Sequence, residues 1–332
     1  MYALSAYSAE QEGIELSAQA GALVGRKKTL GDRIWRSLKK YWPYYVMLIP
    51  GIIWYIIFCY TPMYGVTLAF KNFKMKRGIM GSPWMDPLFG NFMEFFSSPY
   101  AMRLLRNTLI MSVTKMVWAK LAAVGLALVL NECKKSWYRR IVQTVSYMPH
   151  FLSWVVIYGI VYLFCSESQG YINKVIRATG GQTIPFLSSN DYFRPLIYIS
   201  HIWKGTGYST IIYLAAMTSI DVTLYEAAQV DGAGRLRRIW HITLPGIRST
   251  FIMLTIISVG SILSAGFDQV YVFYNELVYQ TGDIIDTYVY RAGLEEMRFG
   301  LSTAVGLFKN VIGFFLVWGT NRLAQRWEEG IW

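Results

Sequence analysis

The side chains best suited to chemistry are few and scattered. Three cysteines, Cys59, Cys133 and Cys165, and three histidines, His150, His201 and His241, lie far apart in 332 residues. No CxxC or HExxH pattern joins them, so neither a disulfide framework nor a metal site is expected. Each histidine reads as a helix-packing or pore-lining residue. No GxxxxGK[ST] occurs, and the dipeptide Gly-Lys is absent altogether. The lone pairs Gly205-Thr-Gly207 and Gly232-Ala-Gly234 follow no strand pattern and are weak nucleotide motifs. No nucleophile–base pair and no paired carboxylates stand out. The chain is therefore expected not to be an enzyme by itself, and to carry no cofactor or metal.

What remains is polar residues set in apolar sequence, which are costly in a membrane and often functional. Ser258, Ser261 and Ser264 recur every third residue, with Asp268 and Gln269 beyond. Such a stripe offers hydroxyls to a hydrated path, or equally packs small residues between helices, with Gly260 and Ala265 nearby. Gln143, Ser146, Tyr147, His150 and Trp154 form a comparable face, and His201, Trp203, Lys204, Tyr208 and Tyr213 another. Sugars pack C–H faces on aromatic rings and hydrogen-bond at their rims, although an aromatic-rich membrane core holds such residues anyway. The candidate substrate path is Gln143, Tyr147, His150, Trp154, Tyr208, Ser258, Ser261, Ser264 and Asp268. Lys115, Lys120, Lys204 and Lys309 lie in or near apolar runs. Lys115 and Lys120 point about 140° apart on a helix and are expected not to share one site. Each lysine is expected to snorkel or to pair with a carboxylate; several facing a pore would attract an anionic polymer.

The elements that position these groups follow from composition. Apolar residues make up 54% of the chain and charged residues 16%, against about 25% charged in soluble chains. Mean hydropathy is +0.31. A soluble domain of this size cannot hide so much apolar surface, so lipid must solvate part of it. Net charge is +12; basic residues at membrane edges account for it better than nucleic acid does. The fold class is an all-α membrane protein with six transmembrane helices. The first lies within the uncharged run from Tyr41 to Phe70, where Pro50 and Pro62 are expected to kink or end the helix. The others cover Leu104–Leu130, Ile141–Cys165, Leu196–Ile220, Ser249–Val272 and Ser302–Trp318. Lys and Arg number seventeen on one side of these spans and eleven on the other, which puts both termini in the cytoplasm. Residues 1–29 are a polar N-terminal segment without a signal-peptide pattern. Ile34, Trp35, Leu38, Tyr41 and Trp42 share one helical face beside Arg33, Arg36, Lys39 and Lys40. Residues 30–42 therefore read as an amphipathic elbow helix lying in the headgroup layer. Residues 43–325 form the six-helix transmembrane domain and 326–332 a short cytoplasmic tail.

The cytoplasmic connection at 221–247 is the most informative stretch. It reads as two short helices: Asp221 caps the first, Gly232 and Gly234 permit the positive φ of a sharp turn, and the second, about 235–243, ends before Pro245. Such a hairpin can dock into a groove on a cytoplasmic partner. The string resembles the EAA loop of permease subunits in ATP-binding-cassette importers: EAA, two residues, DGA, then a spaced I-x-L-P. Glu226, Ala227, Ala228, Asp231, Gly232, Ala233, Ile242, Leu244 and Pro245 match it. Tyr-Thr-Pro-Met-Tyr-Gly at 60–65, Leu-Leu-Arg-Asn-Thr-Leu at 104–109 and Ser-Tyr-Met-Pro-His-Phe at 146–151 are similar to the carbohydrate-import permeases of the LplB-like branch, as are 284–291 and 303–309. Residues 1–29 carry no such signal.

The resemblance implies a subunit of an inner-membrane importer. A second related permease completes the pore, two ATP-binding-cassette ATPases beneath it carry ATP and Mg, and an extracytoplasmic solute-binding protein delivers saccharide. Glu226 would meet a basic residue on the ATPase, Gly232 would allow the bend, and Ala227 and Ala228 would pack in the groove. The same resemblance favours alginate or a related polyuronate as cargo. Neutral oligosaccharides are the alternative, and a proton-coupled secondary transporter a more distant one, disfavoured by the docking loop and the shortage of intramembrane acids. Membrane lipid is the remaining partner; no nucleic acid is expected.

Overall fold

A computed structural model describes residues 30–326 and Gly330. The segment 1–29, and all of the tail but Arg326 and Gly330, lie outside the described residues. Among the described residues there is no strand, only an isolated bridge between Lys71 and Trp84. The protein is all-α. Three of its helical stretches are long and apolar enough to cross a membrane, and three further bent pairs bring the count to as many as six.

Residues up to Tyr64 form one unit and those from Gly65 another. In the first, α1 (Leu30–Tyr55) leaves helical backbone geometry at Tyr41. Pro43 has no amide hydrogen, and its ring crowds the carbonyl four residues earlier, so the break falls just before it. The expected kink at Pro50 does not form, and the helix runs through it. A wide π turn at Ile56–Tyr60 precedes Pro62 instead, and Thr61 Oγ1 donates to Ile56 O at 2.8 Å across it. The side chains of Arg33, Ile34 and Arg36 in the expected elbow lie outside the described residues, while Trp35 and Trp42 are exposed.

The second unit is built on α2 (Ala101–Asn131) packed along α5 (Asn190–Thr218). Leu104, Thr108, Met111, Lys115, Ala123, Ala127 and Leu130 form the buried stripe of α2, with the i, i+3, i+4 spacing of one helix face. Alanines at 123 and 127 let the helices approach, and Thr210 Oγ1 donates to Ala123 O at 3.2 Å, the small-residue contact that joins membrane helices. On the opposite side Val113, Val117 and Leu121 are exposed, an apolar face that suits lipid. Gly207 on α5 sets a second close approach. A Cβ there would lie 2.2 Å from Ser146 O in α3 (Ser136–Tyr147), so only glycine fits.

Two expected continuous spans are broken. After α3 the chain turns through Met148–Phe151 and restarts as α4 (Trp154–Cys165), bent by 105°. Pro149 supplies no amide for the helix, and Ser153 Oγ caps the new one by accepting from Val156 N at 3.3 Å. The span expected at 249–272 stops early. Helix α8 (Arg248–Gly260) gives way to a turn with positive φ at Ala265 and Gly266, then to α9 (Phe267–Phe273). The final elements are α10 (Ile285–Tyr290) and α11 (Phe299–Gln325). They are pinned by Lys309, whose ammonium donates to Asp286 at 2.5 Å.

Candidate coupling loop and membrane-interior site

Between α5 and α8 lies the hairpin. Helix α6 (Val222–Val230) starts at Asp221, whose carboxylate accepts from the Thr223 amide at 2.9 Å. That amide holds the exposed carboxyl below its usual range. The C-terminal end closes with two backbone bonds, Ala233 N to Ala228 O at 2.8 Å and Gly232 N to Gln229 O at 3.1 Å. This is a Schellman closure, which needs a left-handed residue at the penultimate position, and Gly232 provides it at φ +75°. Gly234 does not share that role; its φ is −65°, extended backbone that starts α7 (Arg235–Arg238). Nor does the second helix end before Pro245. A π turn at Ile239–Thr243 carries it on to Gly246, its wider backbone accommodating the proline's missing amide. Tyr225 Oη and Thr243 Oγ1, 2.9 Å apart, tie the two arms. Glu226, Ala227, Asp231, Gly232 and Pro245 are exposed, while Ala228, Ala233 and Leu244 are half-buried. Val230, Leu236 and Trp240 are 88%, 82% and 70% exposed, an apolar surface on the hairpin.

In the membrane interior the structure sorts the candidate path residues into two groups. His150 stacks on Tyr208 at 4.2 Å between ring centroids. Lys204 donates to the carbonyls of His150 and Leu152 and sits 5.3 Å from the Trp154 ring centroid. Trp154, Lys204 and Asp268 line one open cleft. Ser258, Ser261 and Ser264 line a separate cavity of about 430 Å³ at the break after α8. Gln143, Tyr147, His150 and Tyr208 line neither.

The sequence pattern of the family of binding-protein-dependent transport system inner membrane components matches residues 119–329. The chain belongs to that family. It is a non-catalytic membrane permease subunit. It is 47% identical over 285 residues to Protein LplB of Bacillus subtilis (strain 168), covering 86% of this chain and 89% of that protein. It is 43% identical to the polygalacturonan/rhamnogalacturonan transport system permease protein YteP of the same organism, covering 87% and 89%. A chain of a bacterial ABC transporter involved in the import of the acidic polysaccharide alginate superposes with a TM-score of 0.82 at 39% identity, covering 89% of this permease and 99% of that chain. The alginate transporter in complex with an alginate pentasaccharide-bound periplasmic protein gives the same TM-score of 0.82 at 38% identity, covering 90% and 99%.

The permease departs from the sequence reading at its lysines. Of the four lysines expected to snorkel or to pair with a carboxylate, Lys309 alone forms an ion pair among the described residues. Lys115 donates to Ala265 O at 2.5 Å and Gln269 Oε1 at 2.9 Å. Lys120 donates to Leu254 O and Ser258 Oγ, both at 3.0 Å. Although they point apart on α2, both line the 430 Å³ cavity, because α8 meets Lys120 and the turn after it meets Lys115. The serine stripe is largely spent on its own backbone. Ser258 Oγ donates to Leu254 O and Ser261 Oγ to Ser258 O, as serines in apolar helices do. Ser112 and Tyr213, absent from the candidate path, face the same cavity. A lysine inside an apolar helix was the available signal for them.

Proposed function

We propose that this permease works in an ATP-driven, binding-protein-dependent importer of oligo- or polysaccharide, with alginate or a related polyuronate as cargo. The observation that carries this reading is the agreement with the alginate importer chain over 89% of the sequence at TM-score 0.82. Similarity of 43% to a permease named for polygalacturonan and rhamnogalacturonan transport favours acidic cargo as well.

In this reading a second, related permease completes the pore, and an extracytoplasmic solute-binding protein delivers the saccharide. The 221–247 hairpin seats in a groove on a cytoplasmic ATPase, one of two that bind ATP and Mg. Val230, Leu236 and Trp240 supply its apolar contact, Glu226 its charge, and the Schellman closure keeps its two arms moving together. ATP-driven closure of the ATPases favours one pore state through that contact, since coupling requires a partner that binds two states unequally. Both termini lie in the cytoplasm, and residues 30–42 lie along the inner leaflet up to the break at Tyr41. Saccharide passes between faces carrying His150, Trp154, Tyr208 and Asp268.

Reconstitution of this chain with its partner permease, ATPases and binding protein tests the reading. Uptake and ATPase stimulation by alginate oligosaccharides, and not by matched neutral ones, is the expected result. Stimulation by neutral oligosaccharides alone would overturn the acidic cargo. Purification without any ATPase attached would overturn the importer in favour of a secondary carrier.

A further inference from the structure

The cavity beside α2 has an unusual inventory. An ammonium has three hydrogens to donate, and Lys115 and Lys120 each commit two, to Ala265 O and Gln269 Oε1 and to Leu254 O and Ser258 Oγ. One hydrogen of each is left over. None of the ion pairs among the described residues involves either lysine. Ser112 and Tyr213 line the same cavity, are 7% and 1% exposed, and their hydroxyls have no hydrogen-bond partner among the described residues. Four uncommitted donors, two of them on lysines, therefore surround about 430 Å³ to which no carboxylate among the described residues contributes.

Leaving a buried hydroxyl unpaired costs about 1–3 kcal/mol, and an ammonium away from water without a counter-charge costs several. A wall that holds two lysines and no carboxylate among the described residues fits a ligand that carries negative charge and only accepts. A neutral sugar hydroxyl would use the donors and leave the charge uncompensated; a carboxylate answers both, with two oxygens and about four acceptor positions. Coulomb attraction is also stronger there than in water, because the surroundings polarise less.

We propose that Lys115, Lys120, Ser112 and Tyr213 form an anion site inside the membrane domain that takes a carboxylate. The carboxylate comes from a uronate residue of the cargo, a source that rests on the function proposed above, or from a small free anion.

The test is thermal unfolding of the full chain in nanodiscs at constant ionic strength, titrated separately with sodium acetate, sodium chloride, trigalacturonate and neutral maltotriose. A ligand that binds only the folded state raises the melting temperature with its concentration. We expect saturable stabilisation by acetate and trigalacturonate, none by maltotriose, and an affinity about tenfold weaker in both Lys120→Met and Tyr213→Phe, the loss of one hydrogen bond to a charged group. Tyr213→Phe removes a hydroxyl with no hydrogen-bond partner among the described residues, so a merely structural role would leave the affinity unchanged. Trigalacturonate binding no more tightly than acetate identifies a small free carboxylate as the source; tighter saturation by trigalacturonate identifies the cargo carboxylate. No saturable stabilisation by any anion, or unchanged affinity in both variants, would overturn the site. Uptake in proteoliposomes separates the two ideas: neutral uptake with anion binding intact refutes acidic cargo alone, and uronate uptake without anion binding refutes the site alone.

Discussion

The hairpin at 221–247 and the membrane interior hold their shapes by opposite means. In the hairpin, partners lie a few residues apart: Asp221 with the Thr223 amide, Ala233 with Ala228, Gly232 with Gln229. Its cap and turn are closed by near neighbours, and Val230, Leu236 and Trp240 stay exposed to face another protein. In the interior, partners come from distant segments: Lys115 from α2 with Ala265 beyond α8, Gln269 Nε2 with Ile197 O at 2.7 Å, Lys309 with Asp286. Stability is thus concentrated in the interior, and the hairpin is free to serve as a handle.

Substitutions sharpen that contrast. The largest loss of stability belongs to Asp286→Ala, which strands the Lys309 ammonium between α10 and α11. The pair is half-buried, 18% and 14% exposed, so the loss falls toward the low end of the range for breaking a fully buried pair, about 3–5 kcal/mol. Denaturation of the chain in nanodiscs should show that loss, and Lys309→Met added to Asp286→Ala should restore most of it. Gly207→Ala comes next. Its Cβ would meet Ser146 O at 2.2 Å, forcing α3 and α5 apart at about 1–3 kcal/mol, with a lower melting temperature and no rescue by ligand.

In the hairpin the effects are smaller. Gly232→Ala keeps the closure but places a side chain at φ +75°, which costs about 1–2 kcal/mol. Hydrogen exchange should rise in 222–233 and nowhere else; spread into α5 or α8 would mean the hairpin is part of the core after all. Smallest is the titration of Asp221. Its folded carboxyl sits below its ordinary value because the Thr223 amide donates to it. The cap's contribution is therefore present above the unfolded value of about 3.9 and is lost as pH falls through the lower folded one. Exchange protection of α6 should be flat from pH 7 to 5 and fall only under more acid conditions. Asp221→Asn should flatten that fall while keeping a cap.

This contrast also explains what was legible in the sequence. Asp221 and Gly232 could be placed in advance because their partners are neighbours, and the long apolar runs announced the spans. Gly234 misled because a second glycine near a turn need not take positive φ. The break at 261–266 was hidden. The residues there read as a continuous apolar helix, and the interaction that accompanies the turn comes from Lys115, 150 positions away. Lys115 and Lys120 were judged by their angle on one helix, whereas the cavity is closed by a second segment that bends around them. Ser112 was passed over for the same reason, and Tyr213 was grouped with one polar face but left out of the substrate path, while the serines of the stripe looked available but bond their own helix.

The central claim, that this hairpin transmits ATP hydrolysis to the pore, is tested most directly by the ratio of saccharide uptake to ATP hydrolysis in the reconstituted importer, with Glu226→Lys beside the unaltered chain. The account predicts that the variant assembles and hydrolyses ATP but takes up little or no saccharide, and that Gly232→Pro behaves alike. Full uptake at the unaltered ratio in both variants would contradict it.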